Sequence, residues 1–193
     1  MTELGNGLSV AKHLEEALGV REAVLSTKRR LGDSEDEILI AQSNIATTYA
    51  KLGRLEQALS MRQDVYSGRL NLDGEEYEPT LTAANNLAFS LLSLQRFEEA
   101  KSLLRKWMPV AQRLLGETDK FTFTMRWLYA AALYEDAGAT LDDLRDAVTT
   151  LEDTERTARR VLGSAHPNTA AIGDSLRNAR AALRARETPS ARA

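Results

Sequence analysis

Four glycines set the frame of this sequence. Gly32, Gly74 and Gly116 stand 42 residues apart, and Gly163 follows after 47. The segments between them repeat in kind. Asn44-Ile45-Ala46 precedes Asn86-Leu87-Ala88 by 42, and Arg54-Leu55-Glu56-Gln57-Ala58 precedes Arg96-Phe97-Glu98-Glu99-Ala100 by the same interval. Leu14-Glu15-Glu16-Ala17 begins the series and Leu144-Arg145-Asp146-Ala147 continues it. From these alanines to the next glycine of the series the distances are 15, 16, 16 and 16 residues. The extra five residues of the third unit fall in 135–143, as a turn insertion holding Gly138. A repeat of this length limits the fold, because each unit must bury its apolar face on its neighbours.

Apolar spacing makes each unit a pair of helices. Ile38, Ala41, Ile45, Tyr49 and Leu52 recur every three to four residues, as do Leu81, Ala84, Ala88 and Leu91. The second helices carry Phe97, Ala100, Leu104, Trp107, Ala111 and Leu114, then Leu144, Ala147, Leu151, Ala158 and Val161 with Thr154 as a polar interruption. Trp107 lies on the inward stripe and is expected in the core. Acids crowd the starts of the first helices (Asp33, Glu35, Asp36 and Glu37; Asp73, Glu75, Glu76 and Glu78; Glu117 and Asp119), where they complement the helix dipole. The glycines before them suit helix C-termini that need a left-handed residue. The chain is therefore expected to be all-α, with eight helices near 7–30, 35–52, 55–71, 79–94, 97–115, 119–137, 141–162 and 167–187. Pro109 falls inside the fifth helix and predicts a kink near Arg105–Pro109, or else a break with Pro109 opening a new helix.

Composition excludes several kinds of chemistry. The 193 residues contain no cysteine and two histidines, so disulfides, zinc–thiolate sites and thiol nucleophiles are out. With 25 basic and 28 acidic residues the net charge is −3, which gives no global pull toward nucleic acid or an anionic membrane. No apolar run approaches the roughly 18–20 residues that span a bilayer. Residues 1–10 lack the basic start and apolar core of a signal peptide, so a cytoplasmic location is expected. His166 with Asp174 and Ser175 is the nearest thing to a nucleophilic triad. Carboxylate pairs such as Glu15/Glu16, Glu98/Glu99 and Asp142/Asp143 are adjacent in sequence and diverge on a helix. Gly5-Asn6-Gly7 lacks the strand and lysine of a phosphate loop. No metal, no cofactor and no enzymatic activity are expected.

At Asn85-Asn86-Leu87-Ala88, Arg96-Phe97-Glu98-Glu99-Ala100 and Leu115-Gly116 the chain resembles tetratricopeptide repeat proteins of the 42-residue kind found in kinesin light chains. Leu162-Gly163 with His166-Pro167-Asn168-Thr169 is similar to the junction of that family, and the likeness covers about residues 10–185. It implies an α-solenoid of stacked helix pairs in one domain, 1–193. A capping helix at 7–30 would precede repeats at 31–72, 73–115 and 116–162, then a closing helix at 163–187 and a tail at 188–193. The small residues Ala58, Ala100 and Ala147 would mark the close crossing of each pair. The heptad segment by which kinesin light chains join the heavy chain has no counterpart, so a motor subunit is not implied.

The resemblance puts the first helix of each pair on a concave surface. There it places Ser43, Asn44, Thr47 and Lys51, then Asn85, Asn86 and Phe89, then Thr124, Trp127, Ala131 and Tyr134. Asparagine carries both donors and an acceptor, and aromatic rings make flat anchors, so this set would hold a protein or peptide segment in an adaptor or scaffold role. The alternative for Asn86 is a bond to a neighbouring helix, and for Trp127 packing between units. The positions that grip a C-terminal carboxylate in the chaperone-binding branch read Ser43, Thr47, Asn86, Thr124 and Leu128, of which Asn86 alone fits. The rival functions are a structural subunit packing through its end helices or convex face, and a fragment of a longer repeat protein. Residues 164–193 carry a net charge of +3, the one hint of an anionic partner such as nucleic acid or a membrane surface.

Overall fold

The structure, a computed structural model, describes residues 2–188, with side chains from residue 11 onward. The expected tail lies outside the described residues from 189 on. The described residues form eight helices and no strand: α1 (Thr2–Leu31), α2 (Glu35–Lys51), α3 (Leu55–Asp73), α4 (Glu78–Ser93), α5 (Phe97–Leu115), α6 (Lys120–Tyr134), α7 (Leu141–Leu162) and α8 (Pro167–Glu187). They divide into two compact units, Met1–Leu94 and Gln95–Ala193, with the boundary at the inter-helix turn of the second repeat. In unit 1, α1 packs on α2, α2 on α3 and α3 on α4. In unit 2, α5 packs on α6, α6 on α7 and α7 on α8, and α6 also meets α8.

Helices α2, α6, α7 and α8 start where side chains supply the missing acceptors. Ser34 takes the N–H of Glu37 at 3.3 Å, Asp119 that of Phe121 at 2.7 Å, and His166 Nδ1 that of Asn168 at 3.2 Å. Thr140 and Asp143 cap α7 reciprocally, each side chain taking the other's backbone N–H. The Thr140 bonds hold the Asp143 carboxyl below its ordinary pKa. Helices α3, α5 and α7 end on glycines of the repeat at positive φ, but with ψ extended rather than left-handed helical. Gly74, Gly116 and Gly163 have φ of 78°, 88° and 89° with ψ of −170°, 165° and 160°. That region is open to glycine almost alone. A Cβ there would meet nothing within 4 Å, so the requirement is conformational rather than spatial.

Burial follows the predicted stripes. Ala58, Ala100 and Ala147 have no exposed surface, so a larger side chain there has no room. A Cβ on Gly68 of α3 would fall 2.5 Å from Leu39 Cδ2 of α2, a second close approach in unit 1. Trp107 is fully buried, as are Thr154, whose hydroxyl donates to the Thr150 carbonyl at 2.6 Å, and Ala179 on α8. Leu114 and Val161 depart from the expectation: both lie in the last turn of their helices and are exposed, because the buried stripe of α5 ends at Ala111 and that of α7 at Ala158. Helix α5 runs unbroken through Pro109, so the proline opens no new helix. Helix α6 stops three residues earlier than its apolar pattern suggested. There Asp136 Oδ1 accepts the Gly138 N–H at 2.8 Å and turns the chain.

The inter-helix turns of the first two repeats differ in one respect. Gly53 has φ 73°, whereas Gln95, 42 residues later, is among the described residues the one non-glycine residue at positive φ, with φ 57°. Gln95 is exposed. Its backbone therefore carries a left-handed strain of roughly 1 kcal/mol. Gln95→Gly is expected to raise stability by up to about 1 kcal/mol, and Gly116→Ala to lower it by about 1–3 kcal/mol, both read by urea unfolding. Equal effects of the two changes would contradict this reading.

Candidate functional site

Unit 1 holds a cleft of about 480 Å³ lined by residues of α2, α3 and α4. Ser43, Asn44 and Asn86 line it, with Ile40, Thr82, Val65 and Tyr77 around them. Ile40 and Tyr77 keep 49% and 51% of their surface exposed, so the cleft offers apolar area beside the carboxamides. At one end stand Asp36 and Glu78. Arg69 also lines the cleft but its charge is spent inside the fold: Nη1 donates to Asp36 Oδ1 at 2.5 Å and to Asp73 Oδ2 at 3.0 Å. Burial lowers the Arg69 pKa and the two carboxylates outweigh it, so the net shift is upward.

The helices carrying the two asparagines are held by arginines from the helix before each. Arg21 of α1 donates from Nη1 to the Asn44 carbonyl at 3.2 Å and to the Thr48 hydroxyl. Arg62 of α3 does the same to the Asn86 carbonyl at 3.0 Å and Ser90 Oγ at 2.7 Å. Thus the Asn86 backbone does bond a neighbouring helix, while its residue also lines the cleft. Arg62 is buried with no ion-pair partner among the described residues, and burial alone lowers its pKa. Its guanidinium lies 5.8 Å from the centroid of the Phe89 ring, which is 51% exposed. Sequence reasoning passed over these arginines. The readable signal was that Arg21 and Arg62 each follow a motif alanine, Ala17 or Ala58, by four residues.

The other expected surface residues fall into two groups. In unit 1, Thr47 is half-buried and donates to the Ser43 carbonyl at 3.0 Å, and Lys51 is exposed. Asn85 is half-buried, and its Oδ1 is a buried acceptor without a partner. In unit 2, Thr124 donates to the Lys120 carbonyl at 2.9 Å and Ala131 is buried. Trp127 Nε1 donates to Ser175 Oγ of α8 at 2.7 Å. Burial raises the Tyr134 pKa, an effect partly countered by its bond to Ser175. Trp127 and Tyr134 of α6 are thus engaged with Ser175 of α8.

Groups that suggested chemistry are drawn apart. His166 caps α8 through Nδ1, Asp174 pairs with Arg177, and Ser175 accepts from Trp127. Among the described residues no group of three or more histidines and carboxylates is placed to hold a metal, and no helix is long and apolar enough to cross a membrane. The arginines of α8 are largely occupied: Arg177 by Asp174, Arg180 by Glu152 at 2.7 Å, and Arg186 by the Ala137 carbonyl at 3.2 Å. Arg192 lies outside the described residues.

Residues 37–113 match the tetratricopeptide repeat family model. Among solved structures, two crystal structures of a kinesin light chain-type protein of Podosopora anserina with nearly identical TPR-like repeats are similar. One has a TM-score of 0.77 at 21% identity over 96% of this chain and 85% of that one. The other has 0.75 at 22% identity over 96% and 86%. BtubC (BKLC) from P. vanneervenii gives 0.69 at 19% identity over 94% and 78%. No curated protein matches.

Because its guanidinium bridges two helices from a buried position, Arg62→Ala is expected to cost about 2–3 kcal/mol in urea unfolding. Arg21→Ala, at a half-exposed site, should cost about 1 kcal/mol. Equal and negligible losses would show that the arginines do not hold the asparagine helices.

Proposed function

We propose, from the match of residues 37–113 to the tetratricopeptide repeat model and the similar fold of kinesin light chain-type repeat structures, a role in holding a segment of another protein, in an extended form, in the cleft of unit 1. The observation that carries this reading is the placement of Asn44 and Asn86, 42 residues apart, on the lining of one cleft. Successive carboxamides at a fixed interval suit the repeating N–H and C=O groups of an extended backbone, donating and accepting by turns. Ile40 and Tyr77 offer apolar surface to one side chain of the bound segment. Glu78, which also lines the cleft, favours a cationic neighbour to it.

Along the same α2 and α4 faces, Thr47, Lys51, Asn85 and Phe89 extend the surface that a longer segment would follow. Phe89 gives it an exposed aromatic anchor. Thr124, Trp127, Ala131 and Tyr134 of unit 2 contribute less on this reading, since Trp127 and Tyr134 already bond Ser175. An adaptor of this kind does no chemistry, and its selectivity comes from the side chains flanking the carboxamides.

The test is a peptide-library selection on the wild type and on an Asn44→Ala/Asn86→Ala variant of matched helicity. Peptides sharing an apolar residue beside a basic one should be enriched, and the variant should bind them at least about tenfold more weakly. No enrichment, or binding indifferent to the two substitutions, would overturn the proposal.

A further inference from the structure

Helix α1 presents apolar residues on two opposite sides. Leu18 and Leu25 are buried and join Ala41 and Ile45 of α2 in one core cluster. On the other side Val20, Val24 and Leu31 recur at i, i+4 and i+11 and keep 64%, 44% and 70% of their surface exposed. The repeat shows what this second side is built for. Ala17, Leu18, Arg21 and Val24 of α1 correspond, 41 residues earlier, to Ala58, Leu59, Arg62 and Val65 of α3. In α3, which has helices on both sides, Ala58 and Val65 are buried at 0% and 5% exposure. In α1 the equivalent Ala17 is half-buried and Val24 is open. Among the described residues α1 packs chiefly on α2.

We propose that this open face of α1 pairs, antiparallel, with the same face of a second copy of the chain. The argument for a second copy is charge self-complementarity. Glu16 and Arg30 flank the stripe on the same side, fourteen residues apart, one on each side of its middle. A two-fold axis near Glu22 sets Val20 of one copy against Val24 of the other. The same axis brings Glu16 within a side chain's reach of Arg30 of the second copy, and the converse pair forms with it. Glu16 is 60% exposed and makes only loose contacts at 3.9 Å to Lys12 and 3.5 Å to His13, and Arg30 has no ion-pair partner among the described residues. Antiparallel helices also set their dipoles head to tail. The small residues Ala17 and Ala23 on the face allow the close approach that the alanines of the other pairs use.

Sedimentation equilibrium of the full chain over a wide micromolar range tests this. The wild type is expected to form a concentration-dependent dimer. Val20→Asp should abolish it and Arg30→Glu should weaken it about tenfold. The double reversal Glu16→Arg/Arg30→Glu should restore it. All three changes lie on exposed positions, and helicity by circular dichroism checks each fold. A monomer at every concentration overturns the proposal, as does a dimer that neither Val20→Asp nor Arg30→Glu affects. A dimer weakened by Arg30→Glu and not restored by the double reversal overturns the antiparallel pairing.

Discussion

The close crossing of paired helices at a small residue is the constraint on which the remaining structure rests. Ala58, Ala100 and Ala147 have no exposed surface, and at Gly68 even a methyl group would collide with Leu39. Helices that approach this tightly cannot slide, because interiors are close-packed and a shift of register replaces contact with void or overlap. The register of α3 in turn fixes where Arg62 projects. From there its guanidinium reaches the Asn86 carbonyl and Ser90 of α4, as Arg21 reaches Asn44 and Thr48 of α2. The cleft residues are therefore placed by groups that do not themselves line the cleft.

The two units put the same helix-pair plan to different uses. In unit 1 the α2 and α4 faces leave Ile40, Asn44, Tyr77 and Phe89 accessible. In unit 2 the comparable face of α6 meets α8, and Trp127 is bonded to Ser175. The charged residues show a similar division. Arg69 near the cleft and Arg177, Arg180 and Arg186 of α8 are engaged in ion pairs or with backbone carbonyls, so the surplus of basic residues near the C-terminus is a poor guide to an anionic partner. Glu78, on the lining of the cleft, stands where a cationic group of a partner could reach it.

Helix positions were legible because their signals are local: apolar spacing, acidic first turns and glycine ends. Seven of the eight expected starts fall within one residue of those found, and α6 ended early through an Asp136 turn that apolar spacing does not report. The glycine ends are more restrictive than a C-cap argument implies, since ψ near 180° at positive φ admits little but glycine. Asn44 and Asn86 could be named as surface residues from their repeat positions. Tyr77, Ile40 and Val65 could not, because a cleft forms from three helices and no single stripe announces it. The bond from Trp127 to Ser175 spans 48 residues and follows from packing rather than from pattern.

The most direct test of the account is to map one selected peptide onto the isotopically labelled chain by NMR titration. The account predicts that the largest amide shifts fall in α2 and α4, centred on Asn44 and Asn86 and including Tyr77. Shifts confined to α6 and α8, or spread over the outward faces of α3, α5 and α7, would contradict it.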